Sequence, residues 1–288
     1  MDLEKEIKRL IATALSEDLG QGDITSEACI PETARTSGIL IMKQSGTLSG
    51  LLFLEHIFHS VDPSVTVQLK VEEGSSHKAG TVIASVEGPV RSILAAERTA
   101  LNFLQHASGV ATITANYVRR VAGYDCSILD TRATLPGLRA LEKYSVRVGG
   151  GKIHRFGLDD RFIIKKNYLA FLAGKHKKPL IEGIRRVKAY RPHIPIEVEV
   201  RHFHDLEEVL QTEVQSVMLE NVSPDEARRC VKKIHAYKKL AYIQSSAGVT
   251  PETIKEYAET GVDGISIGAL THSVRDIHIS LRLVASAR

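Results

Sequence analysis

Cysteine is scarce in this chain and carries no pattern. Cys29, Cys126 and Cys230 are three in number, far apart, and outside any Cys-x-x-Cys or Cys/His spacing, which excludes a disulfide framework and a structural zinc site. Long apolar runs are also missing: no stretch approaches the roughly 20 residues that a membrane-spanning helix needs. The opening MDLEKEIKRLIATALSEDLG alternates charged and apolar residues at helical spacing instead of forming a leader. A cytoplasmic, unprocessed protein without a membrane partner is expected. Nor is there an excess of one charge. The 38 Lys and Arg stand against 34 Asp and Glu, a formal net charge of +4, without long basic runs. That balance argues against a nucleic-acid partner, while leaving enough positive charge for anionic small substrates if a cleft gathers it. No short repeat or low-complexity stretch is present.

The chain has 288 residues, 43% hydrophobic and 25% charged. This is the composition of a folded globular protein, long enough for one large α/β barrel or two joined domains. Ile7, Leu10, Ile11, Ala14 and Leu15 share one face of an opening helix, and Gly20 stands where its C-cap falls. The next hundred residues mix β-rich runs, 38–43 and 65–74, with turns, as in 79–90, and read as a small α+β domain. Two helical patterns follow from Ser92 to about Val121, separated by Gly109.

The texture then changes. Short β-branched runs at 126–130, 162–166, 194–200, 216–221, 241–246 and 262–268 alternate with amphipathic helices at 180–190, 204–213, 224–237 and 250–260. Asp205 and Ser223-Pro224 supply start signals for the second and third of these helices. Such alternation means repeated βα units and a parallel sheet. A barrel and a doubly wound sheet share this pattern. The barrel is favoured because nearly every run ends in polar residues: Asp130-Thr131-Arg132, Lys165-Lys166-Asn167, Glu199, Glu220-Asn221, Ser245-Ser246 and Ser266 before Gly268. Barrel active sites lie at the C-terminal ends of the strands.

Arg132, Arg139, His154, Arg155, Lys165 and Lys166 flank two of those ends and the loop Gly149-Gly150-Gly151, a cationic set suited to carboxylates or phosphates. Glu199 and Glu220, at two successive strand ends, could hold Mg²⁺ through water or bond to sugar hydroxyls. The small residues of 245–250 and 266–273 could present backbone N–H groups to a phosphate. Arg98 lies among apolar residues beside Glu97. A buried arginine there calls for a partner, from a local acid, a substrate or another subunit.

These residues fall in blocks, EDLGQGDIT (17–25), AERTALNFLQHASGVAT (96–112), DTRATLPGLRALEKYSVRVGGGKIHR (130–155), IEVEV (196–200), VMLEN (217–221) and GVDGISIGALTHS (261–273). Their order and spacing resemble the quinolinate phosphoribosyltransferase family. The resemblance implies an N-terminal α/β sandwich over 1–110, completed by 274–288, joined to an open α/β barrel over 111–273. It implies a homodimer or hexamer, and a reaction that joins quinolinate to 5-phosphoribosyl 1-diphosphate with Mg²⁺ in NAD biosynthesis. Arg132 with Thr131, His154, Arg155 and Lys165 would hold the quinolinate carboxylates, and Arg98 would reach into the partner's site. Glu199 and Glu220, with Lys165, would act at the reacting ribose and the metal. Ser246, Ala247, Gly248 and Gly268 match the loops that take the 5-phosphate.

Four blocks depart from the family pattern. The usual DTRKT reads DTRAT, with Ala133 in place of a lysine. KDNH reads Lys165-Lys166-Asn167-Tyr168, LDN reads Leu219-Glu220-Asn221, and EASGG reads Gln244-Ser245-Ser246-Ala247-Gly248. Losing one substrate-facing ammonium costs on the order of 1.5–3 kcal/mol of binding, roughly ten- to hundredfold. Lys166 is expected to return that charge from another wall. A paralogue acting on a different anionic acceptor, or a non-catalytic binding protein on the same fold, are the competing readings.

Overall fold

The computed structural model describes residues 2–237, 242–246 and 248–284. In chain order its elements are α1 (Leu3–Leu19), α2 (Ile24–Cys29), β1 (Arg35–Met42), β2 (Gly46–Thr47), α3 (Leu54–Val61), β3 (Thr66–Leu69), β4 (Ser76–His77), β5 (Val82–Pro89) and α4 (Val90–Arg120). They continue with β6 (Ser127–Leu129), α5 (Arg139–Val148), β7 (Phe162–Ile164), α6 (Lys166–Ala173), α7 (Pro179–Tyr190), β8 (Ile196–Val200), α8 (Leu206–Leu210) and β9 (Ser216–Glu220). The last are α9 (Pro224–Ala236), β10 (Tyr242–Ser246), α10 (Ile254–Ala258), β11 (Gly264–Ser266), α11 (Ala269–His272) and β12 (Ile279–Val284). They sort into two compact units, Met1–Ala115 with Ala133–Gly150 and Ala269–Arg288, and Asn116–Arg132 with Gly151–Gly268.

The first unit is built on an antiparallel sheet in the order β12-β1-β5-β3. The final strand pairs with β1 from Ser37–Val284 to Met42–Ile279. In α1 the Asp2 side chain accepts from the N–H groups of Glu4 and Lys5, and Gly20, at φ 51°, ends the helix. Ile7, Ile11 and Leu15 are buried, each contributing about 1.5–3 kcal/mol by leaving water. Between Val90 and Arg120, where the sequence pattern suggests two helices, there is one. Gly109 does not break it. A Cβ there would lie 2.6 Å from the Arg275 carbonyl oxygen and from Val274 Cγ1, so the glycine serves close packing. Ala100, Leu104, Ala107, Val110 and Ala111 bury the same stretch of helix.

The second unit holds a six-stranded, all-parallel sheet in the order β6-β11-β10-β9-β8-β7. The order runs without a switch point, and the first strand of the series pairs with the last. That is the cyclic connectivity of a barrel, opened between β6 and β7, and it removes the doubly wound alternative. The strands match the runs read from the sequence within a residue or two. Ser223 caps α9 by accepting from Glu226 N–H, with Pro224 in the first turn. The helix expected over 204–213 is shorter: a 3₁₀ turn at Phe203–Asp205 precedes α8, and Asp205 makes no capping bond. The Thr212 hydroxyl donates to the Val209 carbonyl, which a further helical turn would need.

Along β8, Ile196, Val198 and Val200 alternate with Glu197 and Glu199, and all five are buried. Register pairs Glu197 with Ser216, Glu199 with Met218, Met218 with Gln244, and Glu220 with Ser246 and then Ser266. Cross-strand partners share a face, so the barrel interior is polar while Val198, Val217, Leu219, Ile243 and Ile265 are buried on the opposite face. No helix among the described residues is long and apolar enough to cross a membrane.

Candidate active site

The C-terminal ends of the parallel strands gather most of the residues singled out from the sequence. Glu199 is the hub. Its side chain is 1% exposed; Arg201 Nε donates to Oε1 at 2.8 Å, and Lys165 Nζ stands 3.2 Å from Oε2. The lysine contact is an ion pair outside hydrogen-bonding alignment, since Oε2 has no hydrogen-bond partner. Both cations are nearly half exposed and can turn toward a ligand. Lys165 is also the residue before α6, where β7 ends and the chain enters the helix. A cleft of about 350 Å³ opens beside Glu199, with Lys166, Arg201 and His202 in its walls.

Arg155 is buried, and its guanidinium donates to the Arg161 carbonyl at 3.0 Å. Burial, and after it the charge of Arg132, push Arg155 below the usual arginine range. Arginine stays protonated regardless, so the two guanidiniums make a strongly positive locus. Thr131 and Arg132 follow β6, both partly buried. Just before them Asp130, fully buried, accepts the His154 backbone N–H at 2.9 Å. The His154 ring turns inward, with Nε2 2.8 Å from Glu197 Oε2 and 3.1 Å from the Gln244 amide nitrogen.

Glu220 ends β9 with one carboxylate oxygen, Oε2, buried and unpartnered. Asn221 after it holds a left-handed backbone, φ 56°, and its N–H donates to the Ser246 carbonyl at 2.9 Å. This turn ties the end of β9 to the end of β10, where Gly248, at φ 71°, supplies a conformation that side chains resist. Gly268 follows β11. Ala247 lies outside the described residues. The unsatisfied oxygens of Glu199 and Glu220 are hard donors on adjacent strands and suit Mg²⁺. No cluster of three or more His, Cys, Asp or Glu side chains that could hold a metal exists among the described residues, so these two carboxylates would share such an ion with water and substrate oxygens.

Arg98 departs from its sequence reading. It belongs to the first unit and is exposed on α4, while Glu97 beside it is partly buried and pushed up by burial. Helical periodicity around 98 is apolar on average, but position 98 itself falls on the outer face. Sequence reasoning also passed over Glu197, Arg201 and Arg161, and singled out Gln244 only as a departure from the family pattern. The first was legible: period-two alternation in IEVEV sets Glu197 on the same face as Glu199.

This geometry sets cationic groups and two partly unsatisfied carboxylates at the same end of a parallel barrel, and comparison with known proteins agrees with it. The sequence-family model "Quinolinate phosphoribosyl transferase, C-terminal domain" matches residues 110–282, and the corresponding N-terminal domain model matches residues 23–108. A nicotinate-nucleotide pyrophosphorylase [carboxylating] of Mycobacterium leprae is 39% identical over 95% of each chain. A probable enzyme of that name from Bacillus subtilis is 36% identical over 98% of this chain and 94% of its own. Among solved structures, NadC from Streptococcus pyogenes superposes with a TM-score of 0.89 at 34% identity, over 96% of both chains. With both domain models matched in sequence order and relatives of this closeness along nearly the whole length, the chain belongs to the quinolinate phosphoribosyl transferase family.

Proposed function

We propose that this chain joins quinolinate to 5-phosphoribosyl 1-diphosphate, releasing diphosphate and CO₂ and forming nicotinate mononucleotide in NAD biosynthesis. The observation that carries this is the strand-end face of the barrel, where Arg132, Arg155 and Lys165 accompany Glu199 and Glu220 in a chain of this family. In this reading Arg132 with Thr131, Arg155, His154 and Lys165 bind the two carboxylates of the acceptor, and charge-assisted hydrogen bonds orient its ring. The ring nitrogen bonds to the ribose carbon as the bond from that carbon to diphosphate breaks. Positive charge developing on the ribose is met by Glu199 and Glu220, fixed before reaction by the strands that carry them. The carboxylate next to the ring nitrogen leaves as CO₂, and a proton takes its place. Mg²⁺ would be held by Glu220 and Glu199, completed by water and diphosphate oxygens, and would neutralise the leaving group. Because Arg201 and Lys165 already compensate Glu199, Glu220 is the stronger of the two ligands. Ser246, Ala247, Gly248 and Gly268 take the 5-phosphate.

We also place the enzyme in the cytoplasm as a homodimer or hexamer. The exposure of Arg98 supports its service in a partner's site.

Purified protein given quinolinate, 5-phosphoribosyl 1-diphosphate and Mg²⁺ should form nicotinate mononucleotide, and Arg132→Ala should abolish it. A second reading, a paralogue for another anionic acceptor, is favoured by one observation: position 133 offers a methyl group where the family pattern has a lysine. No product, with no quinolinate binding by calorimetry, would replace the first reading with the second.

A further inference from the structure

The inward side of the site contains a hydrogen-bonded assembly that substrate binding does not account for. Lys152 runs along the free edge of β6: its N–H donates to the Ile128 carbonyl and its carbonyl accepts from Asp130 N–H. Two residues later His154 sends its ring into the barrel, leaving 6% of the side chain exposed. There it meets Glu197, on β8, and Gln244, on β10. The ring thus spans the interior from β6, at one margin of the barrel's opening, to β8, the strand next to the other.

Glu197 is completely buried. Its Oε1 accepts from Ser216 Oγ at 2.8 Å, Arg161 Nη1 stands 3.9 Å away, and its Oε2 is the atom facing His154 Nε2. A carboxylate can only accept, so the proton in that contact belongs to His154 Nε2. The Gln244 nitrogen, 3.1 Å from the same Nε2, is also a donor, and two donors cannot bond each other. Meanwhile Gln244 Oε1 is buried with no partner. Turning the amide over removes the donor–donor contact, because the oxygen then accepts from the same Nε2–H, and it puts the amide N–H groups where Oε1 has no partner; the two ends of an amide have nearly the same shape. His154 Nδ1, which makes no hydrogen bond among the described residues, is then the ring atom left for a ligand.

We propose that Glu197 is a positioning residue that fixes His154 as the Nε2–H tautomer, with Gln244 as second acceptor, so that His154 meets the acceptor substrate through Nδ1. Glu197 touches no substrate. A neutral Nδ1 presents a lone pair; to bind a quinolinate carboxylate it takes a proton, and the buried Glu197 carboxylate, 2.8 Å from Nε2, supports the imidazolium so formed, which a glutamine in its place does not. A glutamate at 244 would crowd a second buried carboxylate against Glu197; the amide supplies the same acceptor without that charge.

The kinetic half of this inference rests on the phosphoribosyltransferase reading, whereas the tautomer does not. Two-bond ¹⁵N–¹H correlation spectra of the intact protein, with the His154 signals assigned by loss in His154→Gln, should show Nε2–H. Glu197→Gln keeps the shape but can offer a donor, and should move His154 to Nδ1–H or a mixture; Gln244→Met should keep Nε2–H. In steady-state assays Glu197→Gln should raise the KM for quinolinate by about ten- to hundredfold, the worth of one hydrogen bond to a charged group, and change kcat by much less. An Nδ1–H tautomer in the wild type overturns the proposal even if the Glu197 and Gln244 variants do not fold. So does a Glu197→Gln enzyme with unchanged tautomer and unchanged KM. A wild type that makes no product removes the functional reading and leaves the spectra to decide the tautomer.

Discussion

His106 gives the sharpest test of the electrostatics of the first unit. Its ring lies between two carboxylates, Nε2 at 3.1 Å from Glu142 Oε1 on α5 and Nδ1 at 3.1 Å from Asp276 Oδ1. Both partners only accept, so both nitrogens carry protons and the ring is an imidazolium. Burial, the largest single influence, opposes that charge; the hydrogen bonds to Glu142 and Asp276, together with their charges, outweigh it and push His106 above its ordinary value. The Asp276 side chain is 53% exposed, so its arm is worth less than about 1 kcal/mol. Glu142 is wholly buried, and its other oxygen accepts Leu135 N–H at 3.1 Å. That arm is worth about 1.5–3 kcal/mol. Replacing His106 by Leu should therefore cost about 2–4 kcal/mol, and Asp276→Asn less than about 1 kcal/mol. The sign of the pH dependence follows. A histidine in the unfolded chain titrates near ~6.5, and the folded value is higher. The stabilisation is then complete below the unfolded value and fades as pH rises through the folded one. Urea unfolding of wild type and His106→Leu should show the widest gap near pH ~6 and a shrinking one toward pH ~9. Equal stability at the acid end, or a gap that ignores pH, would refute the argument.

Three more outcomes are expected. Gly109→Ala should lower the melting temperature although alanine favours helix by about 1 kcal/mol, because the added methyl meets the Arg275 carbonyl at 2.6 Å and overpacking costs about 1–3 kcal/mol; a rise by calorimetry would contradict this. Glu199→Gln should leave Lys165 and Arg201 without their counter-charge and lower kcat/KM by about ten- to hundredfold in the nicotinate mononucleotide assay, with circular dichroism unchanged. Lys166→Asp, reversing charge in the cleft wall beside Glu199, should raise the KM for quinolinate by about tenfold or more, while the same change at exposed Lys177 should not; equal effects would remove Lys166 from substrate binding.

Much of the barrel could be read from the chain because its signals are local. β-branched runs bounded by turns became β6 to β11 nearly to the residue, and Ser223-Pro224 opened α9 where a cap and a first-turn proline require it. Two features were misread because their causes lie far away in sequence. Gly109 reads as a break from the local pattern, yet it is the packing of Val274 and Arg275 against it that requires a glycine there. Arg98 sat in an apolar stretch, and only the rotation of α4 put it outside. Gln244 and Glu197 are invisible as a pair, since 47 positions separate them along the chain while their strands, β10 and β8, flank β9.

By itself, then, the sequence determined what each segment becomes and which chemistry ends it, because period-two and helical patterns and capping residues act over a few bonds. It also held the strand-end motifs by which the family can be recognised. The tertiary structure decided the rest: that the first strand pairs with the last to make an open barrel, that Lys165 meets Glu199, and that His154 points inward to a buried carboxylate. Those outcomes depend on strand order and register, which bring together residues whose separation along the chain carries no trace of their contact.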